Sequence, residues 1–223
     1  AEIGTDAFWM DTGWFPGGWP SGVGNWSSDL KKFPDGLERI GEECKRVGLK
    51  FVLWFEPERV MRGSALAEAQ PKGVLTVGNG ETMLYNLGDP AARKYLEELL
   101  ANRIEQYKIS VLRIDFNIDP LVFWRAADDK DHVGLAEERY VTGLYELWDD
   151  LRARFPELVI DNCASGGRRI DLETISRSIP LWRSDTACDP HPQLETSQVQ
   201  VAGLSQYVPI NAGGVWLNDP YHL

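Results

Sequence analysis

Residues 89–116 read DPAARKYLEELLANRIEQYKISVLRIDF, and this stretch decides the fold class. Asp89 is suited to cap a helix, because its side-chain oxygen can satisfy an N–H left open at the first turn. Pro90 suits the first helical position, where it has no N–H to lose. The pattern predicts a helix from Pro90 to about Tyr107. Residues 110–116 (SVLRIDF) then form an apolar run that predicts a buried strand, with Asp115 near its C-terminal end. A helix feeding a buried strand is the repeating unit of a parallel α/β sheet.

The unit recurs on both sides. Upstream, residues 7–10 (AFWM) predict a first strand ending at Asp11, followed by a loop rich in Gly, Pro and Trp over residues 13–26. In residues 37–47 (LERIGEECKRV), Leu37, Ile40, Cys44 and Val47 fall on one helical face. Residues 49–55 (LKFVLWF) predict a second strand, halted at Glu56-Pro57-Glu58 because proline cannot donate to a ladder. Residues 83–87 (MLYNL) are a third strand, which makes 110–116 the fourth. Downstream come a helix over 138–155, a fifth strand over 158–161 and a short helix over 172–177. A sixth strand over 181–184 ends in Asp185, and a seventh over 207–210 runs into Asn211. No eighth strand is found before Leu223, so the expected fold is a TIM (β/α)8 barrel truncated after strand seven, one domain over residues 1–223. An open dinucleotide-binding sheet would want a glycine-rich phosphate loop after its first strand, and Asp11-Thr12-Gly13-Trp14 is not one. Polar residues follow the strands: Asp11, Glu56, Asp115, Asn162, Asp185 and Asn211. In such barrels the C-terminal strand ends build the active site.

Composition narrows the function. Thirty-four acidic against 23 basic residues give a formal charge of -11, which repels phosphate and argues against nucleic acid. Three cysteines, an odd number without zinc spacing, read as reduced thiols of a cytoplasmic protein. No long apolar run spans a membrane, and the first residues have no basic segment of a signal peptide. The three histidines, His132, His191 and His222, form no ligand pattern, and Asp189-Pro190-His191 reads as a turn, so no metal and no organic cofactor is expected. Trp14, Trp19, Trp26, Trp54 and Trp182 sit within three residues of Gly, Pro or Asp, where an indole is either a loop anchor or a platform for an apolar ligand face.

Two carboxylates on different strand ends are the minimum equipment for glycoside hydrolysis, and Asp115 and Asp185 fit by position. Arg113, two residues before Asp115, points to the same face of its strand and lowers the carboxyl pKa; Arg183 stands in the same relation to Asp185. A lone strand-end Asp is more often a helix cap, so it is the pair that counts. Glu56 and Glu58 read as braces of the sheet end, and Arg168 and Arg169 as braces of the loop after strand five. Cys163 has no partner histidine nearby in sequence that would make it a nucleophile.

Taken in order, FWMDTGWF, WFEPERV, LRIDFN, IDNCASGGRR and WRSD resemble the catalytic domain of glycoside hydrolase family 36, the microbial α-galactosidases or melibiases. The resemblance runs from Phe8 to about Gly214. It implies a retaining hydrolase of terminal α-galactosides, with Asp115 as nucleophile and Asp185 as acid/base. By the same correspondence Asp11 binds the sugar's 4- and 6-hydroxyls, Trp54 is a sugar platform, and Arg113 and Asn117 contact the site near the nucleophile. Cys163 and Gly166 match a turn near the 2-hydroxyl, and Arg183 is grouped with these substrate contacts. Two positions depart from the family: Thr12 replaces a second aspartate and Arg113 replaces a lysine, a planar fork for a point charge. They leave α-N-acetylgalactosaminide or α-galactosaminide open as the sugar, and a non-catalytic sugar-binding barrel as the contrasting class. The family's flanking β domains are absent, so the resemblance implies a piece of a longer multidomain enzyme, a homo-oligomer at full length, acting on a small α-galactoside or oligosaccharide.

Overall fold

The computed structural model describes residues 4–188 and 194–208. Its frame is a parallel four-stranded sheet in the order β1 (Ala7–Met10), β2 (Lys50–Phe55), β6 (Val111–Ile114), β7 (Val159–Asn162). Helix α1 (Glu38–Arg46) lies between β1 and β2 in the chain, α3 (Pro90–Tyr107) precedes β6, and α5 (Leu135–Arg154) precedes β7. This is the strand–helix alternation of a (β/α)8 barrel. The interior strands are buried on both faces, as parallel strands covered by helices must be: every residue of β6 is buried, and all of β2 except Lys50.

Register assigns the faces. Leu53, Leu112 and Ile160 share one cross-strand row, and Trp54, Arg113 and Asp161 share the next. Successive side chains on a strand alternate in direction, so these rows face opposite sides. The apolar row meets the helices, while the Trp54–Arg113–Asp161 row faces the barrel side. Two residues further on, with the same parity, stand Glu56, Asp115 and Cys163, where Asp115 N–H still donates to Phe55 O at 2.8 Å and Cys163 N–H to Ile114 O at 2.7 Å.

Helix α3 starts as its sequence dictates, with Asp89 Oδ1 accepting from Ala91 and Ala92 N–H at 2.8 and 3.4 Å. It ends at Lys108, which takes a left-handed conformation. Close packing requires two small residues. A Cβ on Gly41 of α1 would meet Tyr107 O at 2.0 Å, and one on Gly143 of α5 would meet Leu87 O at 2.0 Å. Trp14, Phe15, Trp26, Phe55 and Tyr107 pack edge-on or tilted against one another beneath the first loop.

Several expected elements differ. Residues 83–87 are not a barrel strand. β5 (Thr82–Tyr85) is the middle of a small antiparallel sheet with β3 (Arg59–Met61) and β4 (Val74–Leu75), an excursion that also carries α2 (Ala65–Ala69). A short apolar run does not reveal its partner's direction. Residues 181–184 form no ladder; among the described residues the sheet continues past β7 as an isolated bridge from Asp161 to Ile179. Tyr207 and Val208 lie in a turn, and the rest of the expected seventh strand, like Asp189-Pro190-His191, His222 and Asn211, falls outside the described residues. Helices α4 (Leu121–Ala127) and α7 (Leu194–Ser205) were not anticipated; α6 (Leu172–Arg177) was.

Candidate active site

The site is built on the C-terminal ends of β2, β6 and β7. Asp115 continues β6, a strand flanked on both sides, and is 9% exposed. One carboxylate oxygen accepts from Asn117 Nδ2 at 2.8 Å and Trp54 Nε1 at 3.2 Å; the other accepts from the N–H groups of Phe116 at 2.8 Å and Ser165 at 3.2 Å. Burial pushes its pKa up, but the bonds from Asn117, Cys163 and Phe116 and the charge of Arg113 outweigh it, and the net is below the ordinary carboxylate range. Asp115 is therefore held as an anion although nearly buried.

Arg113 is buried and paired with Asp161 at 2.9 Å, and its guanidinium lies over Trp9, 5.0 Å from the ring centroid. Burial works against its charge, but Asp161, Cys163 and Asp115 outweigh it and raise its pKa. Asp161 is fully buried, and its second oxygen accepts Leu181 N–H at 2.8 Å. One carboxylate thus fixes the arginine below Asp115 and anchors the segment leading to Asp185. Sequence reading passed over Asp161 as part of a strand; its same-face spacing to Cys163 was the available signal.

The turn 163–166 joins the two candidate carboxylates. Cys163 is buried, bonds through its thiol to Asp115, and accepts Gly166 N–H at 3.3 Å. Burial pushes the thiol up to about 12, so it stays protonated and is no nucleophile at neutral pH. Gly166 has φ +82°, and a Cβ there would meet Ser184 Cα at 2.9 Å and Asp185 N at 3.0 Å. The chain can therefore pass against the Asp185 backbone only as glycine. Asp185 opens a short 3-10 turn (Asp185–Cys188), is exposed, and accepts Trp182 Nε1 at 3.0 Å.

The remaining expected residues sort differently. Asp11 is exposed at the end of β1, with its carboxylate on Thr12 N–H at 2.8 Å. Trp54, expected as a platform, is only 2% exposed and stacks on Phe15, so it offers no open face here; it presents its N–H edge to Asp115. Trp14 and Trp26 are core residues too. Arg183 is buried and reaches Val208 O at 3.4 Å, and burial lowers its pKa. The braces fall as expected: Glu58 takes Tyr140 Oη at 2.6 Å and Arg169 Nη1 at 2.7 Å, and Arg168 holds the carbonyls of Ala164 and Phe116. Glu56 accepts Asn117 N–H at 2.7 Å, and burial raises its pKa. Among the described residues no cluster of three or more His, Cys, Asp or Glu could hold a metal, and no helix is long and apolar enough to cross a membrane.

The melibiase family profile matches residues 1–217. The chain belongs to the melibiase family. This melibiase barrel is 30% identical to the alpha-galactosidase of Escherichia coli over 219 residues, covering 94% of the chain and 29% of that protein. It is 30% identical to the probable alpha-galactosidase C of Aspergillus flavus, covering 83% of the chain and 26% of that protein. The alpha-galactosidase structure from Lactobacillus brevis superposes with a TM-score of 0.81 at 28% identity, over 99% of this chain and 30% of that one. A variant of the family 36 alpha-galactosidase AgaA from Geobacillus stearothermophilus, in complex with raffinose, superposes at 0.72 with 27% identity, over 83% of this chain and 27% of that one. The melibiase chain thus spans between a quarter and a third of the length of these relatives.

Proposed function

We propose that residues 1–223 are a single barrel catalytic domain of a longer multidomain enzyme, a retaining glycosidase that removes terminal α-galactosyl residues from oligosaccharides. The observation that carries the reading is the buried Asp115, held by donors from three strand ends and linked through the turn 163–166 to Asp185. The names of its relatives, and the raffinose held by one of them, point to the same substrate class.

In the first step Asp115 attacks the anomeric carbon while Asp185 gives its proton to the glycosidic oxygen, and the bond to the leaving group breaks. A glycosyl ester on Asp115 results. Asp185, now ionised, takes a proton from water as the water attacks the same carbon, releasing the sugar with retained configuration. Donors on both oxygens of Asp115 keep it ionised in the free enzyme and stabilise it again as leaving group in the second step. Asp11, Arg113, Asn117, Cys163, Gly166 and Arg183 are assigned to the sugar's surroundings, and Trp54 to holding the nucleophile by its N–H.

The test is hydrolysis of paired chromogenic α-galactoside and α-N-acetylgalactosaminide by the full-length enzyme, with Asp115→Asn as control. Dye release by the parent and none by the variant is expected, with the α-anomer formed first by NMR. Preference for the acetylated substrate would move the specificity to α-N-acetylgalactosaminide. Equal turnover by Asp115→Asn would sink the assignment of the nucleophile.

A further inference from the structure

The loop over residues 13–26 carries three tryptophans with different fates. Trp14 and Trp26 are 1% and 3% exposed, whereas Trp19 is 48% exposed. A large apolar ring left in water is informative when something fixes it there. Trp19 Nε1 donates to Glu56 Oε2 at 3.0 Å, and the guanidinium of Arg59 lies over the ring, 5.8 Å from its centroid. Glu56 is fully buried, and the Arg59 side chain is 11% exposed and 3.8 Å from the same carboxylate oxygen. The indole is thus held by its N–H edge and by one face, with its remaining surface open.

Its place in the fold connects it to the site. Glu56 continues β2, and its other oxygen accepts the N–H of Asn117, whose amide holds Asp115. Trp19 therefore stands on the C-terminal side of the sheet, joined to the nucleophile through Glu56 and Asn117, and it is exposed where Asp115 is not. A terminal sugar must bring its anomeric carbon to the nearly buried Asp115, so the rest of an oligosaccharide extends toward the exposed rim. Sugar rings carry apolar C–H faces suited to an open indole.

We propose that Trp19 is a platform for the leaving-group sugar of an oligosaccharide substrate, with Glu56 and Arg59 as the residues that orient it. This rests on the glycosidase reading above. The competing role is a lid over Glu56, which would act on every ligand alike.

Calorimetric titration of the full-length Asp115→Asn protein with galactose and with raffinose separates the two. Adding Trp19→Ala is expected to weaken raffinose by about 3- to 10-fold, the scale of one lost aromatic contact. Galactose, which has no leaving-group sugar, is expected to keep its affinity. Trp19→Phe, which retains a ring without the N–H, is expected to recover part of the raffinose loss and guards against misfolding of the alanine variant. Equal weakening of both sugars, or undiminished raffinose binding, would overturn the platform while leaving the glycosidase reading intact. A parent that cleaves no α-galactoside, with a variant that binds neither sugar, would overturn that reading and this inference with it.

Discussion

Asp115 shows how a carboxylate can be buried and still charged. Its two oxygens share donors from Trp54, Asn117, Phe116 and Ser165, with Arg113 on the same strand face. In its proposed role as nucleophile Asp115 acts as an anion, so kcat/KM should fall as pH drops through its depressed pKa. Asn117→Ala removes one donor to the charged form and raises that pKa, so the acid limb of the profile should move to higher pH. A pH–rate series on both proteins checks this, and an unmoved limb would assign it to another group. Asp115, Asn117 and Cys163, which the structure brings together, stand out in the sequence because they sit in short ordered motifs. Asp161 does not, because its importance lies in two partners, Arg113 and Leu181, that are far away in the chain. The orientation of Trp54 is not legible for a related reason: sequence gives an indole's location and not which of its edges is open.

At the scale of elements, local chemistry predicted helices better than strands. Asp89-Pro90 gave the start of α3 because the cap is a contact between neighbours in sequence. Asp89→Ala should cost about 1 kcal/mol in chemical denaturation, the usual worth of such a cap. The strand expected at 83–87 is a strand, but it pairs antiparallel outside the barrel sheet, and the direction of pairing depends on residues 59–61 and 74–75. The segment 181–184 reads as a strand by composition but is held by Asp161 and Gly166 instead of by a ladder. Gly166→Ala combines an unfavourable positive φ with a clash against Ser184 and Asp185, and it should lower kcat more than it lowers the melting temperature. Parallel activity and unfolding measurements distinguish a displaced Asp185 from a general loss of fold.

For the molecule as a whole, polar contacts across the strand ends tie distant parts together. Glu58, just beyond β2, is fully buried and joins Tyr140 of α5 to Arg169 of the loop after β7; Arg169 also lies over Trp148. Glu58→Ala leaves a guanidinium and a hydroxyl without their acceptor, and a loss of about 3 kcal/mol or more is expected in thermal or urea unfolding. A change below 1 kcal/mol would mean that the surroundings satisfy both donors, well short of the expected cost. The barrel class was legible from the alternation of capped helices and apolar strands. The count of strands was not, because the antiparallel excursion between β2 and α3 mimics one more unit.

The two proposed catalytic carboxylates are mounted differently, and the difference bears on descent. Asp115 extends a strand paired on both flanks, so changes around it disturb the core on which folding depends. Asp185 is exposed and opens a short 3-10 turn, outside any ladder. Surface loops of that kind tolerate substitution far better than strand interiors do. Natural variation can therefore accumulate around the proton donor, adjusting which leaving groups are served, while the nucleophile is inherited with the fold.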